Sequence, residues 1–269
     1  MMESTLLGVA VAAYGGAGSA AVGGTILGRR IDTAVAGLLA GGLVAHTASL
    51  ALRWDRVGHG PFISMFEVLS SNVWSLTLVF LVAFLRVRAV RPAAAVALPF
   101  VFVLLAWTLA THPDDGHFPA TYRTLWLYAH VAFGKVFLGS LLVATAMSAL
   151  VLAGPRGLVL LGRAGSEGEV AAESLVLRFV ALAFVFESLM LVTGAIWAQD
   201  AWGRYWAWDP LETWSFLTWI ALAGALHARL AWRFPPRVTA SLVIGVFALA
   251  VLTFFGVPFV STSLHKGAV

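Results

Sequence analysis

The sequence predicts an all-α fold: a polytopic membrane helix bundle with about eight transmembrane helices and both termini on the outer side. Three observations carry this. Of 269 residues, 60% are hydrophobic and only 11% charged, whereas a soluble globular domain has about a quarter of its residues charged. Apolar runs of about 20 residues, the length that crosses a bilayer, recur along the whole chain. The arginines gather in alternate connections, as the positive-inside rule requires. A mean hydropathy of +0.90 agrees with this class.

The apolar runs fall near residues 5–28, 33–52, 69–86, 93–111, 124–153, 175–198, 210–231 and 238–258. The first is rich in Gly and Ala, which favours close helix contact in lipid. The fifth is long, and its last turns are expected to leave the membrane before Gly154 and Pro155. Arg29 and Arg30 follow span one; Arg86, Arg88 and Arg91 follow span three. Arg156, Arg163 and Arg178 flank the gap after span five, and Arg229, Arg233 and Arg237 that after span seven. These four connections share one side, which the rule makes cytoplasmic. Arg53, Arg56, Arg123 and Arg204 fall on the other side and count against the assignment. Residues 154–174, with Glu167, Glu169 and Glu173, form the main cytoplasmic loop. No soluble domain or internal repeat is visible, so residues 1–269 are expected to form one integral-membrane domain.

Composition also excludes functions. There is no cysteine: the chain makes no disulfide, holds no thiolate-ligated metal and supplies no thiol nucleophile. The formal charge of +4 sits mostly in short loops and is a topology signal, so no nucleic-acid partner is expected. The N-terminal MMESTLL has no positive region before its apolar stretch and does not read as a cleaved signal peptide.

The most informative segment is 197–219, WAQDAWGRYWAWDPLETWSFLTW, which holds six of the 11 tryptophans in 23 residues. It lies between spans six and seven, on the outer side. Asp209-Pro210-Leu211-Glu212 reads as a helix start: an N-cap acid, Pro in the first turn and an acid at the capping-box position. An interfacial aromatic belt explains one or two indoles per helix end. Six in one connection, interleaved with Asp200, Gly203 and Asp209, point instead to a flat apolar wall. Large aromatic surface beside lone histidines suits a large flat ligand that carries a metal, and haem is the obvious one. Trp202, Trp206, Trp208, Asp209 and Trp214 are assigned to this wall, and Arg204 to a propionate by charge.

The string WGRYWAWDPLETWSFLTW, followed by LHARL, resembles the tryptophan-rich signature of the CcsA/ResC family of cytochrome c biogenesis proteins, the membrane subunits of the so-called System II cytochrome c synthase. The close likeness covers about 30 residues. RWDRVGHGPFISMFEVLSSNVW resembles the family's segment after the second span. Leu211 departs from the pattern, which commonly has a basic residue there. The resemblance implies covalent attachment of haem b to apocytochrome c at the outer face, a lyase reaction forming thioether bonds. It implies as partners a CcsB/ResB-like membrane protein, an apocytochrome c bearing Cys-x-x-Cys-His, and a thiol reductase. It implies a multi-pass protein of a bacterial plasma membrane or thylakoid-type membrane, with its site facing outward.

Each of the seven histidines is a candidate, since imidazole is the common protein ligand for haem iron. His130, near the outer end of span five, is either an interfacial polar residue or an axial ligand. His265, past span eight, would alone read as a solvated tail residue. By resemblance the two match the family's external histidines and would hold one iron from its two faces. His227 lies 17 residues past Pro210, about 25 Å down its helix, too far to share that iron. A buried histidine within a span is a functional candidate by default. By resemblance His227 matches the intramembrane haem ligand, its opposite ligand coming from the partner. His46 reads as structural or as lining a haem route. His59 lies in an outer turn. His112 and His117, with Asp114 and Asp115, form a solvated turn or a divalent-metal site, the turn preferred. Glu187, mid-span in six, is expected to be protonated or partnered. Lys135 either snorkels outward or meets a propionate.

Two other functions fit the same residues: a haem exporter or chaperone without ligation activity, like the CcmC proteins, and a transporter of another apolar ligand. The latter class shows inverted repeats or broken helices, which this sequence does not display clearly.

Overall fold

The computed structural model describes residues 2–29, 31–116, 118–161 and 165–260, with the side chains of 165–167 and 259–260 excepted. The described residues are helical, and no strand occurs among them. Helices α1 (Met2–Ile26), α2 (Asp32–Val57), α3 (Met65–Arg86) and α4 (Ala94–Ala110) are followed by α5 (Leu125–Leu152), short α6 (Pro155–Leu160), α7 (Gly165–Trp202), α8 (Pro210–Leu230), α9 (Pro236–Val251) and α10 (Val257–Val260). A 3-10 turn at Arg88–Ala93 leads into α4, and a π-turn at Leu252–Gly256 follows α9.

Seven of the eight expected spans are helices long and apolar enough to cross a membrane. The remaining one, α8, has 21 residues, about 31 Å at 1.5 Å per residue. It is long enough but less apolar, because it carries Glu212, Thr213, Thr218, His227 and Arg229. The chain is an integral, multi-pass membrane protein.

It divides into two units, residues 1–116 with 159–162, and 117–158 with 163–269. In the first, α1 and α2 approach closely. A Cβ on Gly42 would lie 2.6 Å from the Tyr14 ring, so only glycine fits. His46 is fully buried; its Nε2 lies 2.9 Å from Ser70 Oγ and its Nδ1 3.4 Å from Tyr14 Oη. Those contacts support the structural reading of His46.

The end of this unit that carries the α2–α3 connection is held by charge. Arg53, only 1% exposed, donates from Nε to Glu67 Oε1 at 2.8 Å and from Nη2 to the Asp114 carbonyl at 2.5 Å. Glu67 also closes a capping box with Ser64 at the start of α3. Arg56 bonds Asp115 at 2.6 Å and Glu3 at 3.2 Å. Arg53 and Arg56, two of the arginines that the charge pattern does not accommodate, therefore serve as local ion-pair partners. His59 is buried, with its two ring nitrogens 3.0 and 3.1 Å from the carbonyls of Gly60 and Gly116.

In the second unit α5 and α7 run antiparallel, since the neighbours His130–Gly194 and Gly134–Met190 ascend one helix and descend the other. The expected loop at 154–174 is largely helical. Pro155–Leu160 forms α6, and α7 begins at Gly165 and runs for 38 residues. Its added turns are fastened by ion pairs, Glu173 to Arg229 at 2.7 Å and Glu169 to Arg237 at 3.6 Å, which tie α7 to α8 and α9. α8 also meets α7 through Trp219 Nε1, which donates to Ser188 Oγ at 2.8 Å. Thr218 and Thr253 hydroxyls lie 3.1 Å apart and join α8 to the π-turn.

Candidate functional site

The Trp-rich segment is only in part a connection. Trp197 and Trp202 lie on the last turns of α7, Trp214 and Trp219 on α8, and only 203–209 form the loop between them. Two left-handed residues shape that loop, Gly203 at φ 80° and Trp208 at φ 55°. The first suits glycine; the second is strained for a bulky side chain.

Asp209 starts α8 as the sequence predicts. Its Oδ1 accepts from the Glu212 backbone N–H at 2.9 Å, while Glu212 Oε2 accepts from Asp209 at 3.3 Å and Ala207 at 2.7 Å. Asp209 thus acts by shaping the loop. Glu212 Oε1 and Trp206 Nε1 are buried and have no hydrogen-bond partner among the described residues. Buried polar atoms are nearly always paired, so this loop stands out in leaving one acceptor and one donor unpaired among the described residues.

The rings form two clusters. In the first, the His130 imidazole stacks on Trp197 with centroids 6.0 Å apart and planes 19° from parallel. Trp197 meets Trp202 edge-on at 4.9 Å and Tyr122 at 5.0 Å. Tyr122 reaches Phe118 at 6.3 Å, and Arg123 lies over that ring at 5.7 Å. In the second, Trp206 and Trp208 meet edge-on at 5.7 Å and both contact Phe216. Phe216 stacks on Trp219, and Trp219 on Phe184.

His130 Nδ1 donates to the Met190 carbonyl at 2.9 Å. A carbonyl can only accept, so the proton is on Nδ1 and the lone pair of the neutral ring on Nε2. The structure therefore brings His130 together with Trp197, Trp202 and Tyr122. Trp208 and Arg204 are exposed, and Trp206 and Trp214 half-buried. His265 lies outside the described residues, as does His117. His227 differs from the expected buried residue: it is exposed on α8, with Nδ1 3.1 Å from the Ala223 carbonyl. Gly224 and Ala228, its neighbours on the helix, line an almost wholly apolar groove of about 460 Å3 between α8 and α9. Small side chains at α8 positions 221, 224, 225 and 228 leave that face shallow.

No group of three or more metal-binding side chains occurs among the described residues. In the α4–α5 connection, Asp115 is paired with Arg56 at 2.6 Å. Glu187 is fully buried and both its oxygens lack hydrogen-bond partners among the described residues. In the sequence Trp197 stands out only as the first of the six clustered tryptophans, and Tyr122, Met190 and Gly194 carry no mark of the site. The spacing of Gly194 and Trp197, three apart at the C-terminal end of an apolar run, is the one available signal.

The chain is a helical membrane protein with an imidazole seated among clustered indoles. Comparison with known proteins is specific. The model of the cytochrome C assembly protein family matches residues 59–265. The chain is 32% identical to the cytochrome c biogenesis protein CcsA of Synechococcus sp. (strain CC9902) over 270 residues, covering 88% of this chain and 85% of that one. It is 28% identical to CcsA of Prochlorococcus marinus (strain MIT 9312), covering 82% and 80%. The chain belongs to the CcsA family of cytochrome c assembly proteins, and its role lies in cytochrome c maturation. Among solved structures, cytochrome c haem lyase CcmF shares the fold, with a TM-score of 0.73 at 18% identity; the match covers 99% of this chain and 47% of that one.

Proposed function

We propose that this chain delivers haem b to the outer face of the membrane and holds it there while it is joined to apocytochrome c. The observation that carries this is the His130 imidazole, stacked on Trp197 with its Nε2 lone pair set by the Met190 carbonyl. The donor set suits haem: neutral imidazole ligates its iron, indole faces match its ring, and the Trp206 N–H and Arg204 suit its propionates. The alternating arginines support an outward-facing segment 197–219 with both termini on the same side. His265 is proposed as the second ligand of that outer iron.

His227 is proposed as an inner haem ligand. Its exposure beside an apolar groove supports a site completed by a second protein, a CcsB/ResB-like subunit that supplies the opposite ligand. The chain has no cysteine, so both thiols arrive on the Cys-x-x-Cys-His segment of apocytochrome c, kept reduced by a thiol reductase. Each S–H adds across one vinyl C=C: sulfur bonds one carbon, hydrogen ends on the other, and nothing leaves. The chain's own contribution is orientation, which lowers the entropic barrier of bringing two macromolecular reactants together, and exclusion of water by the indole wall.

The test is an absorption spectrum of the purified chain with and without its partner, followed by cytochrome c maturation. Six-coordinate, bis-imidazole haem in the wild type, lost together with maturation in His130→Ala and His265→Ala, is the expected result. Unchanged haem content and maturation in both variants would refute the ligand assignment. Covalent product from this chain and its partner alone separates a synthase from a haem chaperone.

A further inference from the structure

We infer that one face of α7, built by Met190, Gly194 and Trp197, is a cradle that presents the Nε2 of His130 for metal ligation, and that Gly194 is the positioning residue on which it depends. The inference rests on His130 being the haem ligand proposed above, and extends it to residues that touch no haem.

These three positions are spaced i, i+4 and i+7, so they stack along one side of the helix. Each meets the same imidazole. The Met190 carbonyl takes the Nδ1 proton at 2.9 Å. The Trp197 ring stacks on it, its plane 19° from parallel. Between them stands Gly194, and a Cβ built there would fall 2.6 Å from His130 Nδ1 and 2.8 Å from Cε1. Real Cβ atoms do not come that close, so any side chain at 194 must displace the ring. The first atom struck is the one that makes the carbonyl bond.

A metal-binding histidine is oriented by the hydrogen bond at its other nitrogen, which fixes both tautomer and ring plane. Here that acceptor is a helix carbonyl, which also receives the Thr193 hydroxyl at 3.2 Å. It is held in place by the helix itself, so the imidazole is aimed before any haem arrives. Glycine in a helix interior is otherwise unfavourable, and clearance for the imidazole gives position 194 a reason to be glycine.

The experiment uses the full chain in detergent with 15N-labelled histidine, as wild type, Gly194→Ala and His130→Ala. The last identifies the His130 resonances by their loss. In the haem-free wild type we expect a protonated Nδ1 and a lone-pair Nε2. In Gly194→Ala we expect the two nitrogens to exchange the proton and their signals to average. A neutral wild-type ring protonated on Nε2, or a Gly194→Ala spectrum identical to wild type, overturns the inference. Haem titration forms the second arm. Six-coordinate haem in wild type and a shift toward five-coordinate haem in Gly194→Ala, with at least tenfold weaker binding, supports it. If His130→Ala alters the haem spectrum and Gly194→Ala does not, the cradle fails while the ligand assignment stands. If His130→Ala leaves the spectrum unchanged, the ligand assignment fails, and with it the purpose of the cradle. Alanine is a better helix former than glycine; should the variant nevertheless not fold, Trp197→Ala reads the cradle from its other wall. Broadened His130 signals there support the inference, and unaltered ones overturn it.

Discussion

Asp209 and Glu212 cap one another: the Asp209 carboxylate accepts the Glu212 backbone N–H at 2.9 Å, and Glu212 Oε2 accepts the Asp209 N–H at 3.3 Å. The same carboxylate oxygen also takes the Ala207 N–H at 2.7 Å. Two loop amides that carry Trp206 and Trp208 on their flanks therefore hang on a single glutamate. Glu212→Ala is expected to lower stability by about 1–2 kcal/mol, the range for losing a helix cap. Thermal unfolding in detergent measures it, and faster proteolysis within 203–209 would locate the loss in the loop.

Arg53 and Glu67 form a buried ion pair at 2.8 Å with neither side chain more than 1% exposed. Removing one partner leaves an uncompensated charge out of water, at about 3–5 kcal/mol. Arg53→Ala is expected to fall in that range and to reduce the yield of folded protein. Arg53→Lys is expected to rescue little, because an ammonium cannot reach Glu67 and the Asp114 carbonyl with one planar fork. A Lys variant melting like wild type would contradict this.

Glu187 offers the opposite expectation. Its carboxyl is fully buried without a hydrogen-bond partner among the described residues. Replacing such a group with an apolar one of similar size is neutral or stabilising. Glu187→Leu should therefore melt at or above the wild-type temperature. A clear drop in melting temperature would mean that the carboxyl has a bound partner.

Asp115 gives a pH dependence. The hydrogen bond from Arg56 holds its carboxyl below the usual value, partly opposed by burial. Since the folded value is the lower one, its contribution is complete above the ordinary carboxylate range and disappears as pH falls through the depressed value. The pair is exposed, so the effect is small, about 0.5 kcal/mol. Asp115→Asn should remove a small part of the acid-induced loss of stability and change nothing near neutrality. Melting curves from neutral to acidic pH, compared with wild type, check both.

The spans were legible because a bilayer demands a fixed length of apolar helix with its backbone bonds internal, and that constraint prints itself on composition. The start of α8 was legible because Asp, Pro and Glu at fixed offsets are a local device. The start of α7 was not: residues 165–174 are polar enough to read as a loop, and their pairing with Arg229 and Arg237 is a tertiary fact. The burial of Arg53 depends likewise on Glu67, which a topology rule ignores. At the site, His130 and the tryptophans were visible as residue types. Their geometry was not, because the acceptor for His130 is a backbone carbonyl 60 residues away, and backbone carbonyls carry no sequence signature. Gly194 was hidden for a similar reason, since a glycine that makes room for a ring looks like one that lets two helices touch.

Trp208 turns its backbone through φ 55° with its indole 67% exposed. A residue without a side chain would relieve about 1 kcal/mol of backbone strain there but would lose the edge-on contacts with Trp206 and Phe216, each about 0.5–1.5 kcal/mol, so Trp208→Gly should melt at or below the wild-type temperature. What the main chain gives up in comfort at this position is returned by the ring's edge-on seat against Trp206 and Phe216.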